Sequence, residues 1–138
     1  MFKTACILSV ALTALLASAP AHAGQTGSIP VTIDDSTRTA FGSIGGAHNS
    51  PDTASSIGCT VLGFVGTNAQ VNCFARDSAG REARCYVVAS VSAAMVQVAL
   101  AIGPSSSIFF AWDKAGSCVN LEVNNSSYHG LPTPAAIR

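Results

Sequence analysis

Two stretches of the chain repeat one pattern, Phe-Ala-x-Asp-x-Ala-Gly, and strand-like sequence flanks each of them. The first reads "FARDSAGREARCYVV" and the second reads "FAWDKAGSCVNLEV". Aspartate at the first position of a turn accepts hydrogen bonds from the following backbone N–H groups, and glycine at the fourth position tolerates a left-handed backbone. We therefore predict two β-hairpins with three-residue loops. Asp77 and Gly80 serve the first turn, and Asp113 and Gly116 serve the second.

The chain begins with a predicted targeting segment. A short basic start, "MFK", precedes the apolar run "ACILSVALTALLASA" and the small-x-small sequence "AHA" that ends at Ala23. The apolar run is shorter than the roughly 20 residues that a membrane-spanning helix needs, so we expect Met1 to Ala23 to be a signal peptide. The sequence therefore predicts a secreted or periplasmic protein, with no transmembrane span in the mature chain from Gly24 to Arg138.

Four cysteines lie beyond this segment: Cys59, Cys73, Cys85 and Cys118. An even number of cysteines in a small exported domain predicts two disulfides. The cysteines lack the close C-x-x-C spacing that is typical of zinc sites. We expect neither a metal nor a cofactor.

The segment 57–126 is predicted to be a disulfide-linked, β-rich domain. Strand-like composition marks "IGCTVLGFV", "AQVNCFAR", "REARCYVV", "SIFFAWD" and "SCVNLEV". Between the two hairpins, "SVSAAMVQVALAIG" favours a helix that serine caps and Gly103-Pro104 ends, and a strand is the alternative. The predicted fold class is mainly β (α+β), an antiparallel sheet or small sandwich of about five to six strands with one buried helix and two disulfides.

The segments on either side of this domain are less regular. Residues 24–56 form a predicted arm and loop, in which "SIPVTI" reads as an edge strand because Pro30 cannot donate a ladder hydrogen bond. The stretch "FGSIGGAHNSPDTASSIG" has the composition of a long loop. The arm either wraps on the domain or stays mobile until it meets a partner. Residues 127–138 form a predicted tail.

The first hairpin places Cys73 opposite Cys85 because of its three-residue loop. If the last hairpin packs beside the first strand of the domain, the disulfides join Cys73 to Cys85 and Cys59 to Cys118. If it packs beside the third strand, they join Cys59 to Cys73 and Cys85 to Cys118. The register favours the first arrangement, and both stay open.

The last hairpin carries apolar side chains on both predicted faces, whereas a sheet with one wet face alternates. With Asp113 paired to Ser117, one face is predicted to carry Phe109, Val119, Leu121 and Val123. The opposite face is predicted to carry Ile108, Phe110 and Trp112. A single helix can cover only one face. We therefore expect the first face to be a candidate interaction face, covered by the "SIPVTI" arm or by another chain.

Charge and motifs argue against several functions. The sequence has seven basic and seven acidic residues, and nucleic-acid binding needs a basic field. A serine, His129 and Asp113 could form the catalytic triad of a hydrolase, but the sequence has no Gly-x-Ser-x-Gly motif, in which such enzymes carry the nucleophilic serine. His48, Asp52 and His129 lie in predicted loops that are unsuited to a metal site. We expect no catalytic residues.

The strings "GSIGGAHNSPDTASSIGC", "NCFARDSAGREARC" and "IFFAWDKAGSCVNLEV" resemble a loosely defined group of small exported bacterial proteins. Their shared pattern is Ile-Gly-Cys, Cys-x-Ala-x-Asp-x-x-Gly and Trp-Asp-x-x-Gly-x-Cys, and the resemblance covers roughly Phe41 to Val123. It implies export and one disulfide-linked domain, and it implies no site residues.

These observations favour an exported domain that acts by binding a protein or an envelope component. A secreted inhibitor of a hydrolase is the alternative, with "GGAHNSPDTAS" as its inhibitory loop. A small hydrolase is the third hypothesis.

Overall fold

The computed structural model describes residues 27–63 and 65–129. The predicted signal peptide, Met1 to Ala23, lies outside the described residues, as does the predicted tail beyond residue 129. In the described part, the secondary structure consists of β1 (Thr32–Asp34), β2 (Thr39–Ser43), α1 (Ile44–His48), β3 (Ser56–Leu62), β4 (Gln70–Arg76), β5 (Glu82–Val88), α2 (Ala93–Leu100), β6 (Ser106–Trp112), β7 (Cys118–Asn125) and a 3-10 turn (Ser127–His129).

The strands form two antiparallel sheets, which confirms the mainly β fold. The four-stranded sheet has the order β1-β2-β6-β7, and the three-stranded sheet has the order β3-β4-β5. A parallel bridge between Tyr86 and Ser117 links β5 to the residue before β7. The described residues form seven strands, compared with the predicted five to six, because the arm contributes β1 and β2.

One hydrophobic core lies between the two sheets. In β4 and β5, burial alternates strictly along each strand, as expected for a sheet with one covered face. Val71 and Phe110, from different sheets, are both 0% exposed. The buried residues of both sheets and of α2 belong to a single cluster.

Both predicted hairpin turns are present and have the same backbone hydrogen bonds. In the first, Asp77 N–H donates to Arg81 O at 3.1 Å; in the second, Asp113 N–H donates to Ser117 O at 3.0 Å. Gly80 has φ of 80° in the first turn. The turn repeat therefore sets the local register of both hairpins, as predicted.

Helix α2 confirms the helical prediction for the segment between the hairpins, and the strand alternative is wrong. The Ser92 side chain accepts a hydrogen bond from Met95 N–H at 3.2 Å and caps the helix. Val96 and Ala99 are buried, whereas Leu100 is 60% exposed. The helix is therefore buried along one side only, and it contacts both sheets. Among the described residues, no helix has the length and hydropathy to cross a membrane.

The arm is part of the fold, not a separate loop. As predicted, β1 is an edge strand, although it begins after Pro30. Ile33 is 3% exposed and packs in the common core. The predicted loop that follows instead forms β2 and α1. The Ser43 hydroxyl accepts a hydrogen bond from Gly46 N–H at 2.9 Å and thereby caps the N-terminus of α1.

The predicted grouping of Phe109, Val119, Leu121 and Val123 on one face is wrong. Trp112 pairs with Cys118, but the preceding residue, Ala111, pairs with Asn120. Val119 is therefore an extra residue in β7 and forms a β-bulge. This bulge reverses the facing of every later residue in β7, because side chains alternate with a period of two. Leu121 consequently lies opposite Phe110 in the core and is 6% exposed, and Val123 lies opposite Ile108.

The prediction that the arm covers that face is also wrong. Two strands, β2 and β6, separate β1 from β7 in the sheet, so the arm extends the sheet and does not lie over β7. Val119 is 56% exposed at the bulge. Phe109 lies on the outer side of the sheet, opposite Glu122.

The two disulfides join Cys59 to Cys73 and Cys85 to Cys118. The favoured pairing was therefore wrong and the alternative is correct. The predicted register is right, since Cys73 does lie opposite Cys85, but Cys73 lies opposite Cys59 as well. The deciding contact is long-range, because the last hairpin approaches β5.

Candidate functional site

The two turn aspartates use their carboxylates in local structure. Asp77 Oδ1 accepts hydrogen bonds from Ala79 and Arg81 N–H groups, each at 3.0 Å. Its Oδ2 accepts from Arg81 Nε at 2.7 Å. Asp113 Oδ1 accepts from Ala115 N–H at 2.8 Å and from Ser117 N–H at 2.9 Å. These contacts explain the repeated aspartates as turn residues.

Asp52 has a similar structural role in the loop after α1. Its carboxylate accepts hydrogen bonds from the Ser50 hydroxyl, from the Ser55 N–H at 2.6 Å and from the Ala54 N–H at 2.8 Å. These bonds, with that from the Ser50 hydroxyl the largest cause, hold the pKa of Asp52 well below its ordinary value. The carboxylate is therefore engaged in ordering residues 50–55.

Within the described chain, one group of three side chains has the spacing of a metal site, and it consists of Cys73, Cys85 and Cys118. Each of these three cysteines is bonded in one of the two disulfides, so its sulfur is not a thiolate that could bind a metal. His48 and His129 do not belong to this group.

The outer face of the three-stranded sheet is the strongest candidate for a binding surface. We call it the aromatic face and define it by Thr60, Asn72, Phe74, Arg84 and Tyr86. The strand register aligns these residues in two rows. Thr60, Asn72 and Tyr86 face one another across the three strands, and Phe74 faces Arg84 in the next row. They line a depression of about 450 Å³.

Phe74 lies across the neighbouring strand. A β-carbon added to Gly58 would be 3.2 Å from Phe74 Cζ and 3.5 Å from Cε1, so the end of the ring lies over the glycine. The ring is thereby supported from below by β3. Phe74 remains 37% exposed and Tyr86 48% exposed. The face thus presents two aromatic side chains that the domain core does not cover.

The polar groups of this face are positioned by nearby contacts. Gln70 Nε2 donates to Asn72 Oδ1 at 2.9 Å. Arg84 is 77% exposed, and its closest acidic group is Glu82 at 3.7 Å, a weak ion pair in water. The guanidinium is therefore largely free to bind a partner group.

The second hairpin borders the depression. Tyr86 N–H donates to Gly116 O at 3.1 Å, and Gly116 is part of the lining. The Cys85–Cys118 disulfide holds the same two segments together. The turn residue Gly116 thus lies at the edge of the candidate site, although the sequence pattern assigned it a turn role alone.

Sequence reasoning did not identify the aromatic face. The signal for it was present, because Phe74 and Tyr86 occupy outward positions of strands whose alternate residues are apolar and buried. Strand alternation predicts polar residues at such positions, so an outward aromatic residue is informative. The position of Phe74 over Gly58 depends on the pairing of β3 with β4, in which these two residues are opposite each other.

The geometry defines a small disulfide-linked β domain of two sheets with an aromatic surface. The chain matches no protein-family model, no curated protein and no solved structure.

Proposed function

We propose that this protein is an exported binding module that engages a protein partner through the aromatic face. The observation that carries the proposal is the exposure of Phe74 and Tyr86 beside Arg84 on one side of a rigid sheet. Aromatic residues and arginine are enriched where protein interfaces contribute most to affinity. Both aromatic side chains stand on paired strands, so little conformational entropy is lost when a partner binds.

The surroundings of the face fit the same role. Arg76 and Glu82, 3.8 Å apart and each about half exposed, form a charged pair in the row beside Phe74 and Arg84. Such a pair suits the polar rim of an interface, where charges affect specificity and association rate. An apolar centre with a charged border is the usual arrangement of a protein-binding surface.

Export is supported by the two disulfides and by the character of the first 23 residues. Disulfides persist in oxidising compartments such as the periplasm and the extracellular space. The partner that we propose is accordingly an extracellular protein or a protein of the cell envelope.

The test is affinity capture from culture fluid and cell envelope with the wild-type protein and with single variants of the aromatic face. Tyr86→Ala and Arg84→Ala should each weaken capture of a partner by about tenfold or more, as expected for central interface residues. Val119→Ala is the matched control, because Val119 is exposed on the other sheet. Circular dichroism should find all three variants folded.

Equal capture by the wild-type protein, Tyr86→Ala and Arg84→Ala would contradict the proposal. If only Val119→Ala abolished capture of the partner, the interface would lie at the bulge of β7 and not on the aromatic face.

A secreted inhibitor is the second candidate, and the order of residues 50–55 favours it. Asp52 accepts side-chain and backbone hydrogen bonds that order this partly exposed loop, and an ordered loop suits hydrolase inhibition. Asp52→Ala should then abolish inhibition of the target hydrolase while leaving capture through the aromatic face unchanged. Loss of capture in Tyr86→Ala without any inhibitory activity in the wild-type protein would exclude this candidate.

A further inference from the structure

A second concave surface lies on the outer side of the four-stranded sheet, away from the aromatic face. Cross-strand register aligns Thr32, Phe41, Phe109 and Glu122 in one row across all four strands. Directly opposed side chains in such a row have β-carbons about 4.5 to 5.5 Å apart. Two phenylalanine rings and a carboxylate are therefore neighbours, and they line a groove of about 340 Å³ that we call the phenylalanine groove.

The carboxylate of Glu122 has no cationic partner in the described part of the chain, whose ion pairs involve Asp77 and Glu82 as the acidic groups. Asn120 Nδ2 donates to Glu122 Oε1 at 2.8 Å and helps to orient the group. An oriented, unpaired carboxylate beside aromatic rings attracts cations, because the ring faces carry negative electrostatic potential.

His129 and Ile29 also line the groove. The His129 ring is 6% exposed, and its Nδ1 makes no hydrogen bond within the described chain. Tyr128 packs edge-on against this ring with the centroids 5.3 Å apart. A buried nitrogen without a partner is costly to the fold and is rare in native structures, so a bound group that completes its hydrogen bond would explain it.

The backbone around Ile29 is well anchored. Its N–H donates to the Ser43 hydroxyl at 3.1 Å, and its carbonyl accepts from Ser43 N–H at 3.1 Å. The arm thus holds one side of the groove in place against β2, and the 3-10 turn that ends at His129 supplies another part of the lining.

We propose that the phenylalanine groove binds a small organic amine, a protonated ammonium group attached to an apolar body. The ammonium group lies between Glu122 and the rings of Phe41 and Phe109, and the apolar body packs along Ile29. The ammonium group also donates a hydrogen bond to His129 Nδ1, the buried nitrogen without a partner in the described chain. This site is independent of the aromatic face, so the proposal stands whether or not that face binds a protein.

The experiment uses 2-phenylethylammonium as the probe and 2-phenylethanol as a neutral probe of similar shape. Binding to the full protein is measured from NMR chemical-shift changes at Phe41, Phe109 and Glu122. The amine should bind at least about tenfold more tightly than the alcohol, since the two differ in the charged contact. Glu122→Gln should remove this preference and leave binding of the alcohol unchanged.

Asp35→Asn is the matched control for Glu122→Gln, because it removes an exposed carboxylate from the β1–β2 turn. It should leave the affinity for the amine unchanged. His129→Phe retains a ring against Tyr128 but removes Nδ1, and it should weaken amine binding about fivefold. Unchanged amine affinity in this variant would overturn the role of His129.

Equal affinity for amine and alcohol, or an unchanged preference in Glu122→Gln, would overturn the proposal. The proposal would also be overturned if the NMR chemical shifts changed with protein concentration and not with amine concentration. That result would identify the groove as a contact between two copies of the chain. Absence of binding at amine concentrations of tens of millimolar would overturn it as well.

Discussion

Cys73 lies directly opposite Cys85 in the register of β4 and β5, yet the two sulfurs belong to different disulfides. Cys73 bonds to Cys59 on one side, and Cys85 bonds to Cys118 on the other. The sulfurs of Cys73, Cys85 and Cys118 all lie within 4.8 Å of one another. The two disulfides are therefore adjacent in the core, and a thiol produced at Cys73 would be close to the second bond.

We predict thiol–disulfide exchange in the variant Cys59→Ser. Its free Cys73 thiolate can attack the sulfur of Cys85, which forms a Cys73–Cys85 bond and releases Cys118 as a thiolate without any external oxidant. Incubation at alkaline pH, which favours the reactive thiolate over the thiol, should give a mixture of both isomers. Peptide mapping after thiol alkylation measures the proportions.

Cys73→Ser is the control for this exchange. It leaves Cys59 free, and Cys59 is outside the group of three neighbouring sulfurs. This variant should keep the Cys85–Cys118 bond alone. A Cys59→Ser sample with its free thiol at Cys73 only, after prolonged incubation, would show that the neighbouring sulfurs do not react.

The repeated turn aspartates should differ in their contribution to stability. Asp77 is 3% exposed and pairs with Arg81, whose Nη2 lies 2.6 Å from Oδ2, whereas Asp113 makes its turn hydrogen bonds to backbone N–H groups. Asparagine in place of Asp77 brings an amide donor towards the guanidinium. We expect Asp77→Asn to lower the free energy of unfolding by about 1 to 3 kcal/mol and Asp113→Asn by less than about 1 kcal/mol.

Urea denaturation of the two variants measures this difference. Equal losses would mean that the Arg81 contact contributes nothing, and that both aspartates act through the turn alone. Binding activity of either variant, measured at matched folded concentration, should equal that of the wild-type protein.

Gly116 is needed for its backbone conformation and not for space. Its φ is 81°, and a β-carbon added there would meet no atom within 4 Å. Gly116→Ala should therefore lower the free energy of unfolding by about 1 to 2 kcal/mol, because a residue with a β-carbon is strained in the left-handed region. Gly116→Asn should cost less, because asparagine tolerates this region.

Gly63 is the matched control for Gly116. A β-carbon there also meets no atom within 4 Å, and its φ is not positive. Gly63→Ala should leave the free energy of unfolding nearly unchanged or raise it slightly. Equal destabilisation by the two alanine variants would contradict the conformational explanation.

Asp34 should make the stability of the β1–β2 turn sensitive to acid. Hydrogen bonds from Ser36, chiefly from its hydroxyl, and from Thr37 lower the pKa of Asp34 from its ordinary 3.8 to about 2. The folded state binds this proton less tightly than the unfolded state does. The stabilisation that the ionised Asp34 gives to the folded state is therefore complete above pH 3.8. It is lost as the pH falls towards about 2.

Denaturation midpoints measured across this pH range test the prediction. The slope of stability against pH should be smaller in Asp34→Asn than in the wild-type protein. Asp35→Asn serves as the control, since its carboxylate accepts none of the turn hydrogen bonds within the described chain, and it should retain the wild-type slope. A steeper slope in Asp34→Asn than in the wild-type protein would disprove the assignment.

Features that depend on neighbouring residues were predictable. Asp77, Gly80 and their counterparts in the second hairpin define the turns through contacts within four residues. Ser92 and the run of helix-forming residues after it define α2 in the same way. Such interactions are present in the local sequence, so pattern reasoning can identify them.

The candidate sites were harder to predict because they depend on how distant strands meet. A single extra residue at Val119 reverses the facing of Leu121 and places Glu122, not Leu121, beside Phe109. Neither glycine nor proline marks this bulge in "SCVNLEV". The phenylalanine groove therefore follows from a register that becomes defined only when β6 and β7 pair.

The sequence by itself determined the two hairpin turns, the helix between the hairpins and the presence of four cysteines in the β-rich part of the chain. The tertiary structure decided which cysteines bond, because Cys73 has a cysteine opposite it on each side and only the approach of the last hairpin to β5 distinguishes them. It also decided that the arm joins the sheet, where burial of Ile33 in the common core offsets the entropy of ordering β1. Local hydrogen bonds determine turns and caps, whereas burial against distant strands selects among the arrangements that those local elements allow.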